Sequence, residues 1–141
     1  MGRKGVTDST ATTTRSTVTR YLDALNRADV DAIAACVADG FYNEHTSALG
    51  TSVHGRQAYR ERLPRFLSQF TGLHYDLEDL VVEQERAAAR YHMSCSWLDD
   101  SGREHPVAIR GMFWFRVLDG EIVHRIDYWD GSEFSRQVAT S

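Results

Sequence analysis

The chain has only two cysteines, Cys36 and Cys95, among 141 residues. They cannot form a metal-binding cysteine cluster, and two free thiols in a reducing cytosol are expected. An excess of positive charge is also missing: 16 Lys and Arg stand against 20 Asp and Glu, a formal net charge of −4. No overall positive field exists to hold nucleic acid. No apolar run approaches the roughly 20 residues of a membrane-spanning helix, so no membrane contact is expected. His54, His74, His92, His105 and His124 show no His-x-x-x-His spacing, and no metal site is expected. No internal repeat is evident. Residues 1–15 are rich in Thr, Ser and Gly, lack apolar periodicity and read as a disordered tail. Arg3, Lys4 and Arg15 are too sparse for a targeting peptide, and no apolar segment follows them. The expected location is cytoplasmic.

What is present is an ordinary globular composition, 42% apolar and 26% charged. The length fits one domain, assigned to residues 16–134, with 135–141 as a C-terminal tail. Val18, Tyr21, Leu22 and Leu25 follow the spacing of one helix face, with Ser16 or Thr17 as its cap. Val30, Ile33, Ala34 and Val37 repeat the pattern after Asp29, a second cap candidate, and Gly40 is expected to stop that helix. A short strand, Phe41–His45, comes next. A third helix starts near Gly55, carries Tyr59, Leu63, Phe66, Leu67 and Phe70, and should break or kink at Pro64. From Leu73 the period becomes alternating. Strands are expected at Leu73–Glu83, Ala87–Leu98, Val107–Val117 and Gly120–Asp130, the last entered through an Asp119-Gly120 turn. Helices followed by antiparallel strands define an α+β layout.

The last strand carries the chemistry. Alternation groups Arg125, Asp127 and Trp129 on one face. A carboxylate between a cation and an indole can serve as a base in an apolar site, with Arg125 as the partner its ionised form requires. Periodicity alone would instead bury Ile122, Ile126 and Tyr128. Two further polar candidates, Asn43 and His45, share the short strand with Phe41. Tyr91, Met93, Phe113 and Trp129 would form an apolar wall, equally compatible with plain core.

The segments Arg20–Ile33, Phe41-Tyr42-Asn43-Glu44-His45, Gly55-Arg56-Gln57-Ala58, Leu77-Glu78-Asp79-Leu80-Val81 and Gly120–Asp130 together resemble the SnoaL-like polyketide cyclase and ketosteroid isomerase-like branch of the nuclear-transport-factor-two-like superfamily. The resemblance covers about residues 16–134. It implies a cone-shaped fold, with a strongly curved mixed, mostly antiparallel sheet wrapped over three N-terminal helices. It also implies a homodimer through the outer sheet face. Tyr21 falls where the isomerases keep an oxyanion-hole tyrosine. His45 and Gly111 replace their base and their protonated donor. Asp127 resembles the Asp that polyketide cyclases use as a base on the last strand. The Arg-x-Asp pair of the epoxide hydrolases is replaced by Ile109 and Gly111 on the preceding strand. The resemblance favours the orientation with Val123, Arg125, Asp127 and Trp129 inward and Ile122, His124, Ile126 and Tyr128 outward.

The expected function is therefore a small-molecule enzyme of secondary metabolism. Without a cofactor, it would perform acid/base chemistry on a hydrophobic, flat polycyclic or polyketide carbonyl compound as an aldol cyclase, isomerase or dehydratase. Asp127, His45 and Tyr21 are the catalytic candidates. Asn43, Arg125, Trp129, Tyr91, Met93 and Phe113 are the substrate-binding ones. The alternatives are a hydratase or epoxide hydrolase that activates water, and a non-catalytic ligand-binding or accessory protein.

Overall fold

The structure is a computed structural model that describes residues 2–139, with side chains from Ser9 on. Helices α1 (Gly2–Asn26), α2 (Val30–Ala35) and α3 (Arg56–Gln69) precede most of the sheet, and α4 (Gly131–Ala139) follows it. The strands are β1 (Val37–His45), β2 (Val53–His54), β3 (Phe70–Glu83), β4 (Arg86–Leu98), β5 (Glu104–Leu118) and β6 (Glu121–Trp129). They form one sheet in the order β2-β1-β6-β5-β4-β3. β1 and β6 run parallel, and the other neighbouring pairs are antiparallel. The α+β layout with a mixed sheet is thus as expected.

The strong curvature is not. The sheet is not strongly curled, and it stays open, with β2 and β3 as its edges. Pronounced bending needs repeated bulges or glycine kinks. Register shifts occur in the β1–β6, β3–β4 and β5–β6 ladders, but the central β4–β5 ladder runs through thirteen consecutive pairs, from Arg86↔Arg116 to Leu98↔Glu104, without one.

α1 begins far before the apolar stripe. Residues 2–15, expected as a disordered tail, are helical. Thr14 and Thr17 explain the difference. Both are buried. Thr14 Oγ1 donates to the Gln84 carbonyl at 2.6 Å, and Thr17 Oγ1 donates to the Gly120 carbonyl at 3.0 Å. These bonds tie the helix to the turns of two hairpins, β3–β4 and β5–β6. A hydrophobic pattern cannot register a buried hydroxyl, and Ser16 and Thr17 lie within α1, Ser16 exposed and Thr17 buried, rather than capping it. At the other end, residues 135–139 lie in α4 and not in a tail.

Asp29 caps α2 as expected, its carboxylate accepting from the Ala32 amide at 3.1 Å. That helix ends at Cys36, and Val37 and Gly40 already belong to β1. Pro64 does not end α3. A proline forfeits a backbone donor, but buried Tyr59 and Leu63 hold the helix on the core. Asp119 and Gly120, with φ of 51° and 75°, form the left-handed two-residue turn that their sequence predicts. The core lies between the helices and one sheet face. Val18, Tyr21, Leu22 and Leu25 of α1 are buried there with Ala89, Tyr91, Ile109, Phe113 and Phe115 of the sheet.

Orientation along β6 is decided by one residue. Val117 pairs with Ile122, but Arg116 pairs with His124. Val123 is the extra residue of a β-bulge, and the inside-outside phase changes across it. Ile122 is therefore fully buried, as are Arg125 and Asp127 beyond the bulge, while Tyr128 is exposed. Alternation grouped Arg125, Asp127 and Trp129 correctly. Apolar periodicity buried Ile122 correctly, and the orientation implied by the resemblance misplaced it outward with Val123 inward, because one strict period of two cannot hold on both sides of an inserted residue.

Candidate active site

The inner face of the sheet, Leu25 of α1, α3 and α4 line a partly open cavity of about 120 Å³. Of the nine candidate residues, Asn43, His45, Tyr91, Met93, Arg125, Asp127 and Trp129 line it. Tyr21 and Phe113 do not. Both are fully buried one layer behind the wall, where they hold Arg125.

Asp127 is 6% exposed. Its Oδ1 accepts a hydrogen bond from the Tyr91 hydroxyl at 2.6 Å. Burial raises the carboxyl pKa above its ordinary value, against the opposing pull of the Arg125 charge and the Tyr91 hydrogen bond. Tyr91 was expected as apolar wall, yet its hydroxyl fixes the carboxylate. Gly111 makes this possible. It pairs with Tyr91 across β4–β5, and a Cβ there would collide with the Tyr91 hydroxyl and crowd the Tyr128 carbonyl.

His45 lies beside the acid, with Nδ1 3.7 Å from Asp127 Oδ2, too far for a hydrogen bond. Trp129 Nε1 donates to the same Nδ1 at 3.3 Å. A neutral imidazole has one donor and one acceptor nitrogen, so with the proton on Nε2 it accepts from Trp129, and with the proton on Nδ1 it accepts instead from Arg125 Nη2 at 3.5 Å. Burial, then the guanidinium charges of Arg125 and Arg62, lower the His45 pKa to about 3. His45 is therefore neutral at ordinary pH and holds no ready proton as an imidazolium.

Arg125 does not pair directly with Asp127. Residues i and i+2 on one strand stand about 7 Å apart, and the guanidinium bonds to other groups. Its Nη1 donates to the Tyr21 hydroxyl at 2.8 Å, and that hydroxyl shares a 2.6 Å hydrogen bond with Tyr59. Nη2 is 3.5 Å from His45 Nε2, and the guanidinium carbon lies 4.7 Å from the Phe113 ring centre. Arg125 Nε has no partner, and neither has Oδ1 of Asn43, its cross-strand neighbour in the β1–β6 ladder.

Tyr59, Arg62, Tyr75 and Phe134 also line the cavity and were not singled out as site residues from sequence. Tyr59 was visible only as part of the apolar stripe of α3. Phe134 sat at the end of the assigned domain, where no helix was foreseen. Arg62 carried no sequence signal. Among the described residues, no group of three His, Cys, Asp or Glu side chains is placed to hold a metal ion.

An open mixed sheet backed by helices, with a buried acid and a buried cation on its inner face, is the frame of a small-molecule site. The family model for the SnoaL-like domain matches residues 18–125. The chain belongs to this SnoaL-like branch of the nuclear-transport-factor-two-like superfamily. A Xanthomonas campestris structure, provisionally named a polyketide cyclase, shares 26% identity at a TM-score of 0.75, covering 92% of this chain and 98% of that one. A Shewanella denitrificans structure, provisionally named a SnoaL-like polyketide cyclase, superposes at a TM-score of 0.82 with 13% identity, covering 91% and 98%. A Mycobacterium tuberculosis epoxide hydrolase superposes at 0.76 with 18% identity, covering 92% of each chain. The second and third likenesses show the fold alone. No curated protein matches the sequence. Family membership is consistent with small-molecule enzymatic chemistry.

Proposed function

We propose that the protein is an acid–base enzyme acting on a small carbonyl compound, with Asp127 as the base. The observation that carries this reading is the Asp127 carboxylate itself: buried, lining the cavity, and raised in pKa by that burial. Tyr91 occupies Oδ1, which leaves Oδ2 to take the proton. In the first step a C–H bond alpha to the carbonyl breaks. The proton goes to Asp127 Oδ2, and the electron pair moves through the new C=C bond onto the carbonyl oxygen. Arg125 is the donor best suited to that developing charge, and Tyr21 and Phe113 hold it in position. The enolate carbon then attacks a second carbonyl in ring closure, whose oxygen takes the proton back from Asp127, or is reprotonated by Asp127 in isomerisation, or expels a β-hydroxyl that leaves as water with that proton in dehydration. No electron leaves the substrate, so the sequence needs no redox partner. Tyr21 acts here through Arg125, and His45 acts as a neutral neighbour that orients Trp129.

A positioned general base contributes about a hundredfold to ten-thousandfold in rate. On whichever compound of a panel of short-chain and single-ring oxo compounds is turned over, Asp127→Asn should lose at least about a hundredfold in kcat while circular dichroism stays unchanged. Near-normal turnover in the folded variant would defeat the assignment. Running the same reaction in oxygen-18 water separates this reading from water activation: label built into product by C–O bond formation would favour a hydratase or hydrolase.

A further inference from the structure

We infer that the cavity takes a small organic anion of no more than about one ring, its negative end on the Arg125 guanidinium; this rests on the acid–base reading above and names its substrate class. Size gives the first limit. The cavity holds about 120 Å³, close to the roughly 150 Å³ hydrocarbon-lined cavity that admits one benzene molecule. Drug-sized ligands need pockets of about 300–1,000 Å³. The polycyclic substrate expected from the sequence would have to extend beyond this space. Phe66, Phe70, Tyr75 and Met93 supply walls suited to a ring or short chain.

Charge gives the second limit. Two cations, Arg62 and Arg125, face the cavity against one carboxylate, Asp127. Arg125 is 5% exposed. A guanidinium carries five N–H donors and no acceptor. In this site it has one close acceptor, the neutral Tyr21 hydroxyl, and one long contact to His45. Its Nε is unpartnered. Among the described residues no ion pair within 4.0 Å involves it. A buried cation is stable when it is paired and hydrogen-bonded, and a carboxylate has the planar geometry to do both. Burial also pushes Asp127 toward its neutral form, so the protein's own carboxylate compensates Arg125 less than a bound anion would. An oxo acid fits both limits, since the carboxylate and the enolate oxygen are each anionic partners for this end of the cavity.

Calorimetric titration of the full chain with benzoate, benzamide and anthracene-9-carboxylate tests the inference. Benzoate should bind at least tenfold more tightly than benzamide, which has the same shape without the charge. The three-ring acid should not bind. Arg125→Met should abolish the preference for benzoate over benzamide. Asp127→Asn should bind benzoate at least as tightly as the parent, because it removes the one carboxylate that lines the cavity and repels a bound anion. That result is independent of turnover, so a wrong assignment of the base and a wrong substrate class give different outcomes. Equal binding of benzoate and benzamide, no benzoate binding at millimolar concentration, or tighter binding of the three-ring acid would overturn the inference. If Arg125→Met does not fold, the comparison of the three ligands on the parent chain decides alone.

Discussion

Two arginines contrast a structural region of the molecule with the proposed reactive one. Arg56, at the start of α3, is nearly saturated with partners. Its Nε and Nη2 donate to the Val37 carbonyl at 2.9 and 2.7 Å. Its Nη1 meets Asp39 and its Nη2 meets Glu121, each at 2.9 Å. It staples the helix to β1 and β6, and it is partly open to water. Arg125 is buried on β6, with one phenol as its close partner. The same side chain thus serves two ends. Where its donors are filled by carboxylates and carbonyls, it holds elements together. Where burial leaves it without an anion, its unspent charge is available to a ligand.

The contrast can be broken most strongly at the pair Asp127 and Arg56. Asp127→Asn should cost about a hundredfold or more in turnover. Arg56→Gln should leave turnover intact and instead lower stability, by about 1–3 kcal/mol for loss of a charged hydrogen-bonding partner, as read by urea denaturation. If Arg56→Gln cost activity and spared stability, the division would be wrong.

Gly111 sharpens the comparison next. Gly111→Ala places a methyl group against the Tyr91 hydroxyl and Tyr128 carbonyl. Overpacking of this kind costs about 1–3 kcal/mol, and it should push Tyr91 off Asp127. Tyr91→Phe removes the hydrogen bond without the clash. Both variants should impair turnover, but Gly111→Ala should lose more stability. Equal stability in the parent and Gly111→Ala would show that Tyr91 does not fill that space.

A further contrast concerns acid. The His45 pKa falls from 6.5 in the free side chain to about 3 in the fold. Between those values the unfolded chain binds a proton that the folded chain refuses. Stability is therefore complete above 6.5 and declines as pH falls toward 3, by up to about 1.4 kcal/mol per pH unit. His45→Asn should flatten that decline in thermal melts taken from pH 7 to pH 4. An unchanged slope would place His45 in a more solvated setting.

The helices and strands were largely legible because apolar spacing reports burial directly. Val18, Tyr21, Leu22 and Leu25 lie buried as their spacing requires, and Asp119-Gly120 turns as its chemistry requires. The failures come where polar contacts or irregular backbone decide. Thr14 and Thr17 anchor α1 by hydroxyls that look like loop residues in a sequence. Val123 resets a strand's phase without any compositional mark. The unbroken β4–β5 ladder belongs to pairing rather than composition, and no residue pattern announces it. At the site, alternation brought Arg125, Asp127 and Trp129 to one face, but it could not say where a long side chain turns. Arg125 looked like the partner of Asp127 because they are two residues apart. It reaches instead for Tyr21 on a helix 104 positions earlier in the chain.

The whole account turns on how burial has changed Asp127, and carbon-13 NMR of that side-chain carboxyl through a pH titration measures it directly. The carboxyl should titrate above its ordinary 3.8, and Arg125→Met should move it higher still by removing the charge that favours ionisation. A midpoint at or below 3.8, or one indifferent to Arg125, would mean that the carboxylate is solvated and stands apart from the guanidinium.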